Sequence, residues 1–243
     1  MASTINAFAS SSKLSSPTRK TTLVVVSSNS PVASSSSKSS TLLVVDSPTE
    51  SVTRPRPIPN SYWATPFLLA CEYPWTPKNP YKPKLDALLA AGVRTFIDLT
   101  ESGELLPYYT PNAMASNVLF HRATQLGINP EEIEYHRFPI RDRSLPNSVE
   151  DMYAVLDVLR DNEARGRISA VHCRGGIGRT GMVIGCHLIQ SKRCSSGEEA
   201  LAFIAREWRG VEKVVRYPCS PETGAQCLFV RSFRPSCDIV ASR

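Results

Sequence analysis

The chain has 243 residues, 42% hydrophobic and 21% charged, which fits a soluble globular protein with one substantial domain and an appendage. The net charge of +6 is unevenly placed. Residues 1–60 carry six Lys/Arg against Asp46 and Glu50, so the remainder is too nearly neutral to point to nucleic acid. No apolar run approaches the roughly 20 residues that span a bilayer.

Residues 1–46 are rich in Ser and Thr, include Lys13, Arg19, Lys20 and Lys38, and have no acid before Asp46. That is the composition of an organelle transit peptide, with the weight of Ser over Arg favouring the chloroplast stroma over the mitochondrion. An untargeted disordered tail, leaving the protein in the cytoplasm, is the alternative, since such a composition cannot form a core. Residues 47–60 contain Pro48, Pro55, Pro57 and Pro59 and read as an extended linker; order is expected from about Tyr62, with a single domain over 61–243.

Trp63 to Tyr73 reads as a strand or strand pair, followed by a short helix over 82–91 with Gly92 as its C′ residue. Val93 to Leu99 is a β-branched buried strand. Thr100 to Asn129 has no clear period and is expected to be loop with a short helix around Asn112–Val118. Ile133 to Phe138 alternates as a strand, and 139–146 is loop. Ser148 with Asp151 opens an amphipathic helix on Met152, Val155, Leu156 and Leu159. Ser196 with Glu199 has capping-box spacing before a helix over 198–208, and Ser220-Pro221 opens a last helix running towards Phe233. Strands alternating with helices predict an α/β fold, a mainly parallel central sheet flanked by helices on both faces.

The segment Ile168 to Ile189 stands apart. An apolar run ends at His172, a glycine-rich turn follows, and a helix-length apolar stretch comes next. The backbone N–H groups of such a loop, with a helix N-terminus, form a seat for a phosphate-sized anion. Cys173 stands at its entrance and Arg179 closes it after five intervening residues. A thiol facing N–H donors, a helix dipole and a guanidinium is expected to be held as thiolate, placed for in-line attack on phosphorus. A small buried hydrophobe is the usual fate of a lone cysteine, but the surrounding Gly175-Gly176-x-Gly178-Arg179 outweighs it here, whereas Cys186 keeps that reading. Gly176-x-Gly178-x-x-Gly181 also satisfies a dinucleotide fingerprint. That scheme gives Cys173 and Arg179 no role and leaves Glu198 at a helix start. A Walker-type loop would need lysine where Arg179 stands. Seven cysteines at irregular spacing, with no CxxC pair, argue against a disulfide framework or a structural zinc site.

His172-Cys173-x5-Arg179-Thr180 resembles the signature loop of the cysteine-dependent protein tyrosine and dual-specificity phosphatases. The resemblance spans roughly 62–233 and implies a dual-specificity phosphatase-like fold. It also implies hydrolysis of phosphate monoesters through a phosphocysteine, with no metal or cofactor. In that family Cys173 would be the nucleophile, Arg179 the phosphate clamp and Thr180 the hydroxyl on the sulfur, while Arg174, Gly175, Gly176, Ile177 and Gly178 would bind substrate. The family's general acid lies on a mobile loop upstream, where Asp142 matches; an Asx-turn role is the alternative. Gln226 resembles the glutamine that orients water in some relatives, an exposed helical Gln being an equal reading. The implied partner is a phosphorylated protein, with no nucleic acid. A phosphorylated metabolite, glucan or phosphoinositide stays open, since the loop has Arg174 but Ile177 where lipid-directed relatives carry a second basic residue. A pseudophosphatase that only binds phosphoproteins is less favoured, because every group needed for turnover is present. Cys71 is a candidate resolving partner for an oxidised Cys173.

Overall fold

Alternating strand and helix periods combine in the computed structural model, which describes residues 54–78, 83–111 and 117–236. The strands are β1 (Ser61–Thr65), β2 (Leu68–Cys71), β3 (Val93–Asp98), β4 (Glu134–Arg137) and β5 (Ile168–His172). They form one sheet in the order β1-β2-β5-β3-β4. Only the β1–β2 edge is antiparallel; β2–β5, β5–β3 and β3–β4 are parallel. The expected mainly parallel sheet is therefore the one observed, and it is buried on both faces, which is why β2 and β5 read as apolar runs rather than alternating ones.

Two helices, α1 (Lys84–Ala90) and α2 (Val118–Gln125), cover one face, where Leu85, Leu88, Leu89, Leu119 and Ala123 meet Leu69, Phe96 and Ala170. The other face carries α3 (Val149–Ala164), α4 (Gly178–Gln190), α5 (Gly197–Trp208) and α6 (Gly224–Ser232). Here Met152, Val155, Leu156 and Leu159 of α3 and Met182, Val183 and Ile184 of α4 pack on Ile97, Leu99 and Val171. Helix α4 is buried from Gly178 to Ile189, as its apolarity on all sides requires of a central helix. Among the described residues no helix is long and apolar enough to cross a membrane.

Local chemistry accounts for most boundaries. Gly92 follows α1 at φ +90, the left-handed C′ position expected of it. Ser148 and Asp151 form a reciprocal capping box at the start of α3. At α5 only half a box forms: Ser196 accepts from the Glu199 N–H, but the Glu199 carboxylate takes the N–H and hydroxyl of Ser195 instead.

Three expectations differ from the structure. The last helix is opened by Thr223, in a capping box with Gln226, and not by Ser220, whose hydroxyl donates to the Ile177 carbonyl at 2.9 Å. The helix expected around Asn112–Val118 falls mostly on 112–116, outside the described residues; the helix observed, α2, starts at Val118 because the Asn117 side chain accepts from the Phe120 N–H. Residues 54–60, expected as linker, lie against the domain. Ile58 is buried, the Arg54 guanidinium stacks 3.8 Å from the Trp63 ring centre, and Arg56 donates to the Glu207 carbonyl at 3.0 Å. Arginines supply here what the prolines cannot, planar donors that also stack. The segments 1–46 and 47–53 lie outside the described residues.

Candidate active site

Parallel β5 is central in the sheet, and the loop from Cys173 to Ile177 leaves its C-terminal end and enters α4. This is where open α/β sheets bind ligands. The loop is held from outside by its carbonyls. Arg174 O accepts from the Tyr73 N–H (3.2 Å), Gly175 O from Lys213 Nζ (3.2 Å), and Ile177 O from Ser220 Oγ (2.9 Å). In a trans peptide the N–H points opposite to the C=O, so these ties also fix the direction of the following N–H groups. Gly176 adopts φ +72, and a Cβ there would lie 2.6 Å from the carbonyl carbon and oxygen of Cys71. The backbone can pass so close to β2 only without a side chain.

The cavity has a volume of about 450 Å³ and is lined by Cys173, Arg174, Gly175, Ile177, Gly178 and Arg179 from the loop and helix start, and by Asp142 and Arg143 from the β4–α3 connection. Lys213, Arg216, Tyr217 and Glu222 complete the lining. Cys173 is only 3% exposed, at the foot of this lining. Of the residues expected to bind substrate, Gly176 is absent from the lining because it faces β2.

Arg179 is 1% exposed and fully engaged. Nη1 donates to Ile140 O (2.9 Å), Leu99 O (3.3 Å) and Glu104 Oε2 (2.8 Å); Nη2 donates to Glu104 Oε1 and Asp142 Oδ1, both at 2.8 Å. Burial disfavours the guanidinium charge, but Glu104 and Asp142 more than offset this and raise its pKa. The bond from Arg179 holds the Glu104 carboxyl below its ordinary value. Arg174 also reaches Glu104, with Nε 3.4 Å from Oε1. Glu104 therefore fixes the Arg179 guanidinium, and sequence reasoning missed it: it lies in the aperiodic stretch after β3, with no motif to mark it.

Asp142 is brought to the cavity mouth as expected, its side chain about half exposed and bonded to Arg179. Thr180 is wholly buried, and its hydroxyl has no hydrogen-bond partner among the described residues, the Cys173 sulfur included. Gln226 is also wholly buried, which removes the exposed alternative. Its Oε1 accepts from the Thr223 N–H and its Nε2 donates to Ser144 O, so it ties α6 to the Asp142 loop behind Gly178 and does not line the cavity. Cys71, in register with His172, is buried among the α1–α2 cluster, whereas Cys173 belongs to the cluster on the opposite face. Burial pushes the Cys71 thiol up.

His172 is fully buried, and Tyr108 Oη lies 2.6 Å from its Nε2. Its pKa is lowered, first by burial, although Asp98 pulls the other way; the ring bridges the loop to the chain after β3. Asp98 in turn accepts from Thr100 and from Tyr135 (2.6 Å). Burial raises its pKa, but His172, Tyr135 and Thr100 outweigh that and leave it low.

The family model described as polymorphic toxin system, DSP-PTPase phosphatase matches residues 71–193, from the end of β2 through α4. A viral tyrosine-phosphatase-like protein, 067L of Invertebrate iridescent virus 3, is 32% identical over 119 residues, covering 48% of this chain and 42% of that protein. Protein tyrosine phosphatase domain-containing protein 1 of Mus musculus is 26% identical over 181 residues, covering 71% of this chain but only 21% of its own length. The chain thus spans less than half of either relative. Among solved structures, Tk-PTP in its active form superposes with a TM-score of 0.51 at 23% identity, covering 71% of this chain and 94% of that one. PTPMT1 in complex with PI(5)P gives 0.52 at 16% identity, covering 75% and 97%. At these identities the superpositions establish the fold alone.

Proposed function

Since the chain belongs to the DSP-PTPase phosphatase family, we propose that it hydrolyses phosphate monoesters through a phosphocysteine intermediate. The observation that carries this reading is that one cavity holds Cys173, Arg179 and Asp142 at the glycine-rich loop that enters α4. The Cys173 thiolate attacks phosphorus, forming the S–P bond as the ester P–O bond breaks. Asp142 gives its proton to the leaving oxygen. Water then attacks the phosphocysteine, Asp142 takes back a proton, the S–P bond breaks, and phosphate departs. Arg179 and the loop N–H groups meet the charge spread over the equatorial oxygens, which is the main catalytic demand of phosphoryl transfer. In the structure Asp142 occupies an Arg179 donor at 2.8 Å; a phosphoryl group entering the cradle takes that donor and releases Asp142 to the leaving group. The unpartnered Thr180 hydroxyl is a spare donor on the helix for the sulfur as it leaves phosphorus.

Phosphotyrosine side chains of proteins are the substrate class suggested by the names of the relatives, and the family description, DSP-PTPase, extends it to phosphoserine or phosphothreonine. A polar, non-protein ester is the second reading, favoured by the cations Arg174, Lys213 and Arg216 that line the cavity beside Cys173. The test is hydrolysis of an aryl phosphate by the full chain. Activity should be blocked by vanadate, abolished in Cys173→Ser and reduced by about two orders of magnitude in Asp142→Ala. Hydrolysis that persists without the Cys173 thiol overturns the mechanism. We further propose that residues 1–46 direct the chain to the chloroplast stroma, supported by their Ser-rich composition with no acid before Asp46. A fluorescent fusion of residues 1–60 that stays in the cytosol refutes it.

A further inference from the structure

We propose that the cavity contains a second anion subsite, formed by Lys213 and Arg216 beside Arg174, and that its preferred substrate carries a second phosphate on the same small polyol or sugar scaffold. The inference rests on the phosphatase reading above and adds what the substrate must present besides the scissile group. The loop itself supplies Arg174 but has Ile177 at the next outward position. The fold brings further cations from about forty residues downstream: Lys213 and Arg216 lie in and just after the 3₁₀ turn Glu212–Val215, yet line the same cavity as Cys173.

These cations are surplus to the scissile phosphate. That group is met by the loop N–H groups and Arg179, whereas Lys213 Nζ sits on the Gly175 carbonyl, which is turned out of the cradle. The ammonium therefore stands at the rim, one group's width from the loop. The turn that carries it is also fixed in place. Lys213 N–H donates to Asn60 Oδ1 (3.0 Å), Glu212 N–H donates to Pro59 O (3.3 Å), and Asn60 Nδ2 donates to Glu72 Oε1 (3.2 Å). The strap over 54–60 thus anchors the wall before any ligand arrives, lowering the ordering cost of binding.

Nearby carboxylates do not cancel the charge. Glu72 is shared between Lys213 and Lys84, and Glu104 between Arg174 and Arg179. Across the mouth Arg143 is paired with Glu222 at 2.6 Å. Arg216 is exposed and has no carboxylate within ion-pair distance among the described residues; its guanidinium lies 5.5 Å from the Tyr217 ring centre. A guanidinium lying over an aromatic ring, next to a tethered ammonium, is suited to a phosphate. The closeness of the rim ammonium to the cradle fits two phosphates on neighbouring ring positions better than two side chains along a peptide.

The test compares a soluble myo-inositol bisphosphate with the matching monophosphate, using the full chain. The same two headgroups are also presented as phosphoinositides in phosphatidylcholine vesicles. The ratio of kcat/KM, bisphosphate over monophosphate, should be at least about tenfold and carried by KM. It should collapse towards one in Arg216→Glu and in Lys213→Met, as loss of a charged hydrogen bond predicts. A preference seen with the soluble pair identifies a free polyol phosphate; one seen only on vesicles identifies a lipid headgroup. Either supports the subsite. A wild-type ratio near one, or a ratio that Arg216→Glu leaves unchanged, overturns it, as does a doubly phosphorylated peptide outcompeting both cyclitols. Binding of the soluble bisphosphate to Cys173→Ser, measured by calorimetry with and without Arg216→Glu, tests the subsite independently of turnover. Unaltered affinity there rejects the subsite, while absence of turnover with all esters rejects the phosphatase reading alone.

Discussion

Arg179 has more acceptors around it than a phosphate would need, and this decides how it behaves. Two carbonyls and the Glu104 carboxylate hold one side of the guanidinium, so that only the Asp142 bond stands where a ligand can displace it. A lysine cannot span that set, because its ammonium is a point donor without the planar fork. Arg179→Lys should therefore lower kcat on an aryl phosphate by about a hundredfold or more, in the range seen when one transition-state donor is removed. Glu104→Gln keeps the shape but loses the ion pair on both nitrogens. We expect a smaller fall in kcat, about tenfold, with KM little changed, because the clamp is loosened rather than removed. A KM rise with kcat intact would instead assign Glu104 to substrate binding, and steady-state kinetics on the two variants decides it.

At the scale of elements, β5, its loop and α4 act as one unit, and the glycines within it mark where other parts of the chain press in. Gly176→Ala combines a disfavoured positive φ with a 2.6 Å clash against the Cys71 peptide, which is backbone and cannot swing away. The loop must lift off β2, and both catalysis and stability should fall; wild-type turnover in Gly176→Ala would show that the loop is not held in this shape. The helix behind it carries the other half of the load. Ile184 is fully buried in the middle of α4, so Ile184→Ala should cost about 2–5 kcal/mol in urea unfolding, with aryl phosphate kinetics nearly unchanged below the transition. A cost below about 1 kcal/mol would mean that the cluster collapses around the cavity. The strap over 54–60 is the least expected element. It looks like linker in composition, yet it fastens the turn that presents Lys213 to the cavity.

For the whole molecule, buried titratable groups make stability fall in acid. Burial lowers His187 to about 4, below its ordinary 6.5, so above pH 6.5 neither state is protonated and the group contributes nothing. As pH drops from 6.5 towards 4 the unfolded chain takes up a proton that the fold refuses, and stability falls by on the order of 3 kcal/mol. Glu104 and Asp98 act in the same direction but lower down. Their carboxyls are held below 4.5 and 3.8, so their contribution is complete above those values and is lost as pH falls through the depressed ones. Urea midpoints measured across pH 4–7 should decline towards acid, and His187→Gln should flatten the segment between 6.5 and 4. A variant with the wild-type slope there would assign the decline to other groups.

What was legible from the chain alone was whatever is local. The strand–loop–helix around Cys173, the offset of Arg179, the capping pair Ser148 and Asp151 and the C′ glycine at 92 are encoded within a few residues of one another, and each took the form that its spacing implied. Asp142 lies on a loop between two readable elements, which is why its place beside Arg179 could be anticipated. The tertiary structure decided what depends on residues far apart in sequence. Glu104 meets Arg179 across 75 positions, Lys213 meets Gly175 across 38, and Gln226 reaches back 82 to Ser144. None of these pairs leaves a period or a motif, because a buried ion pair or a shared carbonyl is selected by where the sheet order places two loops. The loop at Cys173 follows from neighbours along the backbone, whereas the rest of the cavity lining exists only once β2, β5 and the turn after α5 have been brought to one end of the sheet.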